Sequence, residues 1–240
     1  MDTDFIYTYP PLIPGILKRR YKRFLADIEL ESGEMITAHC ANTGPMIGVC
    51  DAESRVYVSK SNNPKRKLAY SWELIEVNNT WVGINTALPN RVIKQILEQE
   101  KLPYLKGKYN KVRSEVPYGK DKKSRIDFVL TNETEQNPIY LEVKNTTLAK
   151  DAIALFPDTV TTRGQKHLRE LMDLLPNAQP IMLYFINRGD CQQFSPGDNY
   201  DPEYGKLFRE AVKKGVEILP CRFEITPQGI RYLGLADLKS

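Results

Sequence analysis

Between Phe24 and Glu31 positions 24, 26, 28 and 30 are apolar, while 27, 29 and 31 are acidic. That period of two is what a half-buried β-strand requires. Ser32-Gly33 turns the chain into a second strand, Met35 to Cys40. Val56 and Val58 alternate with Arg55, Tyr57 and Ser59. A longer strand follows from Leu68 to Val77, and after the Asn78-Asn79 turn a short one covers Trp81 to Ile84. Several short strands with polar turns in about 70 residues predict a small barrel. An OB-type barrel fits, and an SH3-like barrel would leave much the same pattern.

The period changes after residue 85. Val92, Ile93, Ile96 and Leu97 mark one face of a helix that opens near Asn90, a good N-cap, and ends by Pro103. Strands are predicted at Lys111 to Tyr118, Ser124 to Leu130 and Ile139 to Lys144, with Gly119 to Lys123 as a basic hairpin loop. A helix from Thr162 to Leu175 stops at Pro176, and Ile181 to Asn187 is an apolar strand. Tyr204, Leu207, Phe208, Ala211 and Val212 share a face of a helix over 202–214, with Gly215 as its C′ residue and a strand from Val216. The expected fold class is mixed α/β, with an OB-like β-barrel domain over 1–85 and an α/β domain with a mixed central sheet over 86–240.

Charge alters this picture through its distribution. Residues 1–85 hold ten basic and ten acidic side chains, so the net +4 comes from the second part. Within 101–125 there are nine basic residues against Glu115 and Asp121, and a second cluster is Lys18, Arg19, Arg20, Lys22 and Arg23. A third is Lys65-Arg66-Lys67. Such clusters suit a phosphate backbone as well as a solvated face. The four cysteines form no C-x-x-C spacing, which argues against zinc. The acidic start and the lack of a long apolar run point to a cytoplasmic protein.

The words Arg125-Ile126-Asp127-Phe128 and Leu141-Glu142-Val143-Lys144 set charges inside apolar strands, which is costly unless they are paired or bound to metal. Glu142 and Lys144 share one face of their strand. Asp127 and Glu142, on adjacent strands, could converge on Mg²⁺ (or Mn²⁺), a hard cation that prefers oxygen. Lys144 would then assist the attacking water, the logic of the D…E-x-K nucleases. A buried ion pair is the competing reading. Glu115 is a candidate third carboxylate, or a surface partner of Arg113. Gln165 lies along the sheet-facing stripe of its helix and could face the centre, or act as a capping-box partner of Thr162. Lys166 is placed to reach a phosphate. His39 and His167, the only histidines, are assigned surface or structural roles.

Taken together with His39-Cys40-Ala41-Asn42-Thr43-Gly44, Phe156-Pro157-Asp158 and Thr162-Arg163-Gly164-Gln165-Lys166-His167, these words resemble the sugar fermentation stimulation protein A family over nearly the full length. The resemblance implies an OB-like domain joined to a PD-(D/E)xK restriction-endonuclease-like domain. It also implies non-specific DNA binding and a role in regulating sugar metabolism genes. On that reading Asp127, Glu142 and Glu115 bind metal, and Lys144, Gln165 and Lys166 serve catalysis. Lys18, Arg19, Arg20, Lys22, Arg23, Arg125 and Arg163 contact DNA. A DNA-binding regulator with an idle nuclease fold is the alternative. A small-molecule enzyme with a carboxylate metal site would instead show no affinity for nucleic acid.

Overall fold

The structure, a computed structural model, describes residues 4–119, 123–132 and 137–239. After a two-residue strand β1 (Tyr7–Thr8) come β2 (Leu12–Tyr21), β3 (Leu25–Leu30), β4 (Met35–His39), β5 (Arg55–Lys60) and β6 (Tyr70–Val77). They pair in the order β4-β3-β2-β5-β6, and parallel pairing of Ala38 with Tyr70 and His39 with Ser71 closes the ring. This is a five-stranded OB barrel, extended at β6 by β7 (Thr80–Gly83). The alternating residues Ala26, Ile28, Leu30, Val56 and Val58 fill it around Trp72.

The barrel's longest strand, β2, is absent from the sequence reading. Pro14, Gly15 and the polar run from Lys18 break its alternation. Gly15 is there because a side chain would press on Ile28 and the Glu29 carbonyl of the neighbouring strand. Lys18 falls where the β2–β3 register shifts, the kind of irregularity that lets a sheet bend into a barrel.

Helix α1 (Leu88–Glu98) follows, then β8 (Lys111–Tyr118), β9 (Ser124–Thr131) and β10 (Ile139–Thr146). Next come β11 (Ala149–Lys150), β12 (Ile153–Phe156), α2 (Thr162–Met172), β13 (Gln179–Ile186), β14 (Gln193–Pro196) and α3 (Pro202–Lys214). The chain ends with β15 (Glu217–Ile225), β16 (Gly229–Leu235) and β17 (Asp237–Leu238). The main sheet runs β1-β16-β15-β13-β10-β9-β8, with β10, β13 and β15 parallel and their outer neighbours antiparallel. A small sheet, β11-β12-β14-β17, packs beside it. Part of the basic hairpin loop expected over 119–123 lies outside the described residues.

Strand β13 explains its own unbroken apolar run, because both faces are covered. Ile181, Leu183 and Phe185 pack with Val92, Ile96 and Leu97 of α1. Met182, Tyr184 and Ile186 pack with Leu168 and Leu171 of α2 and Tyr204 and Phe208 of α3. The barrel is fastened to this body. Leu74 of β6 joins the α1-side core. Gly83 N–H donates to the Asn187 carbonyl at 3.0 Å, and Asn187 Nδ2 donates back to the Gly83 carbonyl at 3.1 Å. A side chain at position 83 would collide with the Asn187 carboxamide. β1 meanwhile pairs with β16 of the main sheet rather than with the barrel.

Leu183 is fully buried at the centre of this arrangement. Leu183→Ala is expected to lower unfolding free energy by about 2–5 kcal/mol. Urea denaturation followed by circular dichroism measures it; a loss below about 1 kcal/mol would contradict the packing described.

Candidate active site

The site begins where a ladder stops. β9 and β10 pair at Leu130 with Ile139, Val129 with Tyr140 and Phe128 with Leu141, and no further. At the next position Asp127 would face Glu142. Instead of continuing the backbone ladder, Val143 N–H donates to Asp127 Oδ2 at 2.7 Å. The other carboxylate oxygen, Oδ1, accepts from Asn90 Nδ2 of α1 at 2.7 Å. Asn90 can do this because α1 starts earlier than expected, at Leu88 after an N-cap at Ala87 that makes no side-chain bond. Asn90 therefore serves the carboxylate, not the helix end.

Glu142 is 3% exposed. Its Oε1 accepts from Lys144 Nζ at 2.6 Å and from His167 Nδ1 of α2. Lys144 Nζ also lies 3.0 Å from that ring nitrogen, and Arg163 Nε donates to Nε2 at 3.4 Å. Glu142 Oε2 is buried with no partner among the described residues. Leaving a carboxylate oxygen unsatisfied in the interior is costly and calls for an explanation.

The two carboxyls differ electrically. Burial, reinforced by the nearby Glu142 charge, pushes Asp127 up to about 6 against the pull of the Val143 amide, Lys144 and Asn90. Burial also acts to raise Glu142, but Lys144 and the His167 hydrogen bond outweigh it and hold that carboxyl below its usual range. One carboxylate is thus stabilised by the Lys144 cation and a histidine hydrogen bond, while the other is under electrostatic tension. An oxygen-only donor pair with one orphaned oxygen fits a hard divalent cation. Among the described residues no three His, Cys, Asp or Glu side chains form a ready-made cage.

Asp127, Glu142 and Lys144 are brought together as the sequence predicted. The others are distributed differently. Glu115 interrupts the β8–β9 pairing with a φ of 54°. It is exposed, and its carbonyl accepts from Arg125 Nη1 at 2.7 Å. Gln165 turns away from the carboxylates: its Nε2 donates to both oxygens of Asp201, at 3.0 and 3.1 Å. Asp201 also accepts from Thr161 N–H and caps α3 at Tyr204 N–H, so Gln165 clamps α2 to α3. Nor is Gln165 a capping-box partner, since the α2 N-cap is Thr161, whose Oγ1 accepts from Gly164 N–H. Lys166 Nζ donates to Ser124 Oγ at 2.9 Å.

The first basic cluster is largely engaged within the barrel. Lys18 pairs with Glu29 and Glu53, and Arg19 with Asp27. Arg20 Nη2 donates to the carbonyls of Arg23, Asn42 and Gly44. Lys22 and Arg23 stand exposed on the β2–β3 turn, as do Arg125 on β9 and Arg163 on α2. His167 and Asn90 contact the two carboxyls, and sequence reasoning placed neither there. The available signal for His167 was its position: it immediately precedes the sheet-facing Leu168 in the helix that follows the E-x-K strand.

Comparison with known proteins agrees with this two-domain fold. Residues 19–84 match the family model described as the SfsA N-terminal OB domain, and residues 87–229 that of the sugar fermentation stimulation protein RE domain. A sugar fermentation stimulation protein homolog of Crocosphaera subtropica is 95% identical over 239 residues, covering 100% of both chains. That of Synechocystis sp. is 64% identical over 235 residues, covering 98% of this chain and 99% of its own. Among solved structures, Pyrococcus furiosus SfsA in complex with Ca²⁺ is similar with a TM-score of 0.86 at 25% identity, covering 98% of this chain and 99% of its own.

Two outcomes are expected. A carboxyl whose pKa is raised by folding costs nothing below its unfolded value near 4 and costs progressively more as pH rises through its folded value. In EDTA, the stability of wild type minus that of Asp127→Ala should therefore fall by about 2 kcal/mol between pH 4 and pH 7. Parallel curves would remove the raised Asp127. Gln165→Ala should lower stability by about 1 kcal/mol and leave divalent-cation affinity, read by calorimetry, unchanged. A lost affinity would return Gln165 to the site.

Proposed function

Since the chain belongs to the sugar fermentation stimulation protein family, we propose that it binds DNA without strong sequence specificity. At Asp127 and Glu142, with Mg²⁺ or Mn²⁺, it hydrolyses phosphodiester bonds. The observation that carries this reading is the buried, unpartnered Glu142 Oε2 beside the strained Asp127 carboxyl. The Pyrococcus furiosus relative, described in complex with Ca²⁺, supports the binding of a divalent ion. Held there, the cation would polarise a phosphate oxygen and acidify a water.

The chain's own residues complete the arrangement. Lys144 Nζ, anchored on Glu142 Oε1, is placed to offset charge gathering on the phosphorus. His167 and Asn90 fix the two carboxyls in orientation. Exposed Lys22, Arg23, Arg125 and Arg163 supply backbone contacts. No described helix is long and apolar enough to cross a membrane, and we place the protein in the cytoplasm.

One observation favours the non-cleaving alternative, a DNA-binding regulator. Glu142 Oε1 already pairs with Lys144 and is hydrogen-bonded to His167, so the pocket can satisfy most of its charge without metal.

Supercoiled plasmid and labelled single strands, incubated with Mg²⁺ or Mn²⁺, decide between them. Cleavage is expected to vanish in EDTA and to drop by at least about 100-fold in Asp127→Ala, with binding retained. In either reading binding should weaken steeply with salt as counterions are released. Equal cutting by the variant would defeat the assignment, and binding without cutting would leave the regulator.

A further inference from the structure

Past Glu142, β10 runs on for four more residues, the last two beyond Lys144, to a cleft between the barrel and the α/β domain. Its volume is about 90 Å³. A single water needs about 10–15 Å³ on such a scale, so this space admits a group of several heavy atoms. Asn145 and Thr146 of β10 line one side, Asn42 and Thr86 the barrel side, and Phe156 and Asp158 a third. Thr146 shares the face of Glu142 and Lys144 and lies about 6–7 Å beyond Lys144 along the strand.

The lining is unsaturated. Thr146 is 1% exposed, and its hydroxyl is buried without a partner among the described residues. Asn42 Oδ1 accepts from Gly44 N–H, and Asn145 Oδ1 accepts from Asn187 Nδ2. Both amides are thereby oriented, and among the described residues neither Nδ2 has a recorded acceptor. Asp158, its carboxyl raised by burial, accepts from the Met46 amide and adds an acceptor. Phe156 contributes an apolar wall. Amide donors, a hydroxyl and a carboxyl around an apolar wall suit a flat ligand that both donates and accepts, as a nucleobase does.

The approach to the cleft is suited to a strand as well. Arg20 ties the β2–β3 turn to the Asn42–Gly44 loop through three carbonyls. That turn presents Lys22, Arg23 and Phe24, the last 44% exposed. Cations beside an exposed ring are the usual means of following a single strand, by charge on the backbone and stacking on the bases.

We propose that this cleft receives the base of an unpaired nucleotide adjoining the phosphate at Asp127 and Glu142. Single-stranded or locally unpaired nucleic acid is then the preferred substrate. A base inside a duplex would have to be extruded before it could enter, at a cost of unstacking and unpairing. The inference rests on the nucleic-acid reading above.

Two variants test it. Thr86 is exposed at the barrel side of the cleft, so Thr86→Trp plugs the space without disturbing a core. Thr146→Val keeps the shape of a strand residue and removes the orphaned hydroxyl. Fluorescence anisotropy in Ca²⁺, with strand integrity checked on a denaturing gel, measures affinity for one oligonucleotide as a single strand and as a hairpin duplex. The single strand should bind about ten-fold more tightly. Thr86→Trp should erase that preference and leave duplex binding unchanged, and Thr146→Val should reduce it several-fold. Equal affinity for both forms in the wild type, or a preference untouched by Thr86→Trp, overturns the cleft assignment alone. No binding of either form at low salt overturns the nucleic-acid reading and the cleft together.

Discussion

The arrangement depends on one substitution of hydrogen-bond partners: Val143 N–H goes to the carboxylate of Asp127 rather than to the backbone of β9. A sheet interior ordinarily forbids a charged side chain, because ladder bonds hold neighbouring strands too close for solvent or ligand. Here a side chain takes the place of a ladder bond. The strands part, and the gap is lined by two acids. α1 closes it from one side through Asn90, and α2 from the other through His167. Both helices are held by the two faces of β13, so the geometry of the acids derives from the central apolar strand.

The same logic explains which parts were legible in the sequence. Alternation identified the barrel strands with polar outer faces, and the helical stripe identified α1, α2 and α3. Asp127, Glu142 and Lys144 stood out because each breaks a local apolar pattern. β2 was hidden because a proline, a close-approach glycine and a bulge interrupt its period. Its basic residues read as a nucleic-acid patch, whereas Lys18 and Arg19 largely answer acids on neighbouring strands and Arg20 ties loops together.

The partners of Asn90, Gln165 and His167 were hidden from the sequence for a common reason. Asn90 and Gln165 lie near helix starts, where capping is the usual explanation, and His167 lies mid-helix; for all three, side-chain direction decides among partners that lie far away in sequence. Asn90 reaches Asp127 across 37 positions, Gln165 reaches Asp201 across 36, and His167 reaches Glu142 across 25. Periodicity carries no information at that range. Gly83 is a similar case: its requirement comes from Asn187, more than 100 positions away.

The pairing of β1 with β16 has a consequence for synthesis on the ribosome. Tyr7 and Thr8 emerge early, yet their partners, Ile230 and Gly229, are made more than 200 residues later. At translation rates of about 5–20 residues per second, the barrel strands can close while the leading segment still waits for an edge to join. That segment carries Ile6 and Tyr9, both destined for the α1-side core. A nascent chain therefore carries an apolar leading segment without its partner strand until β16 has been made.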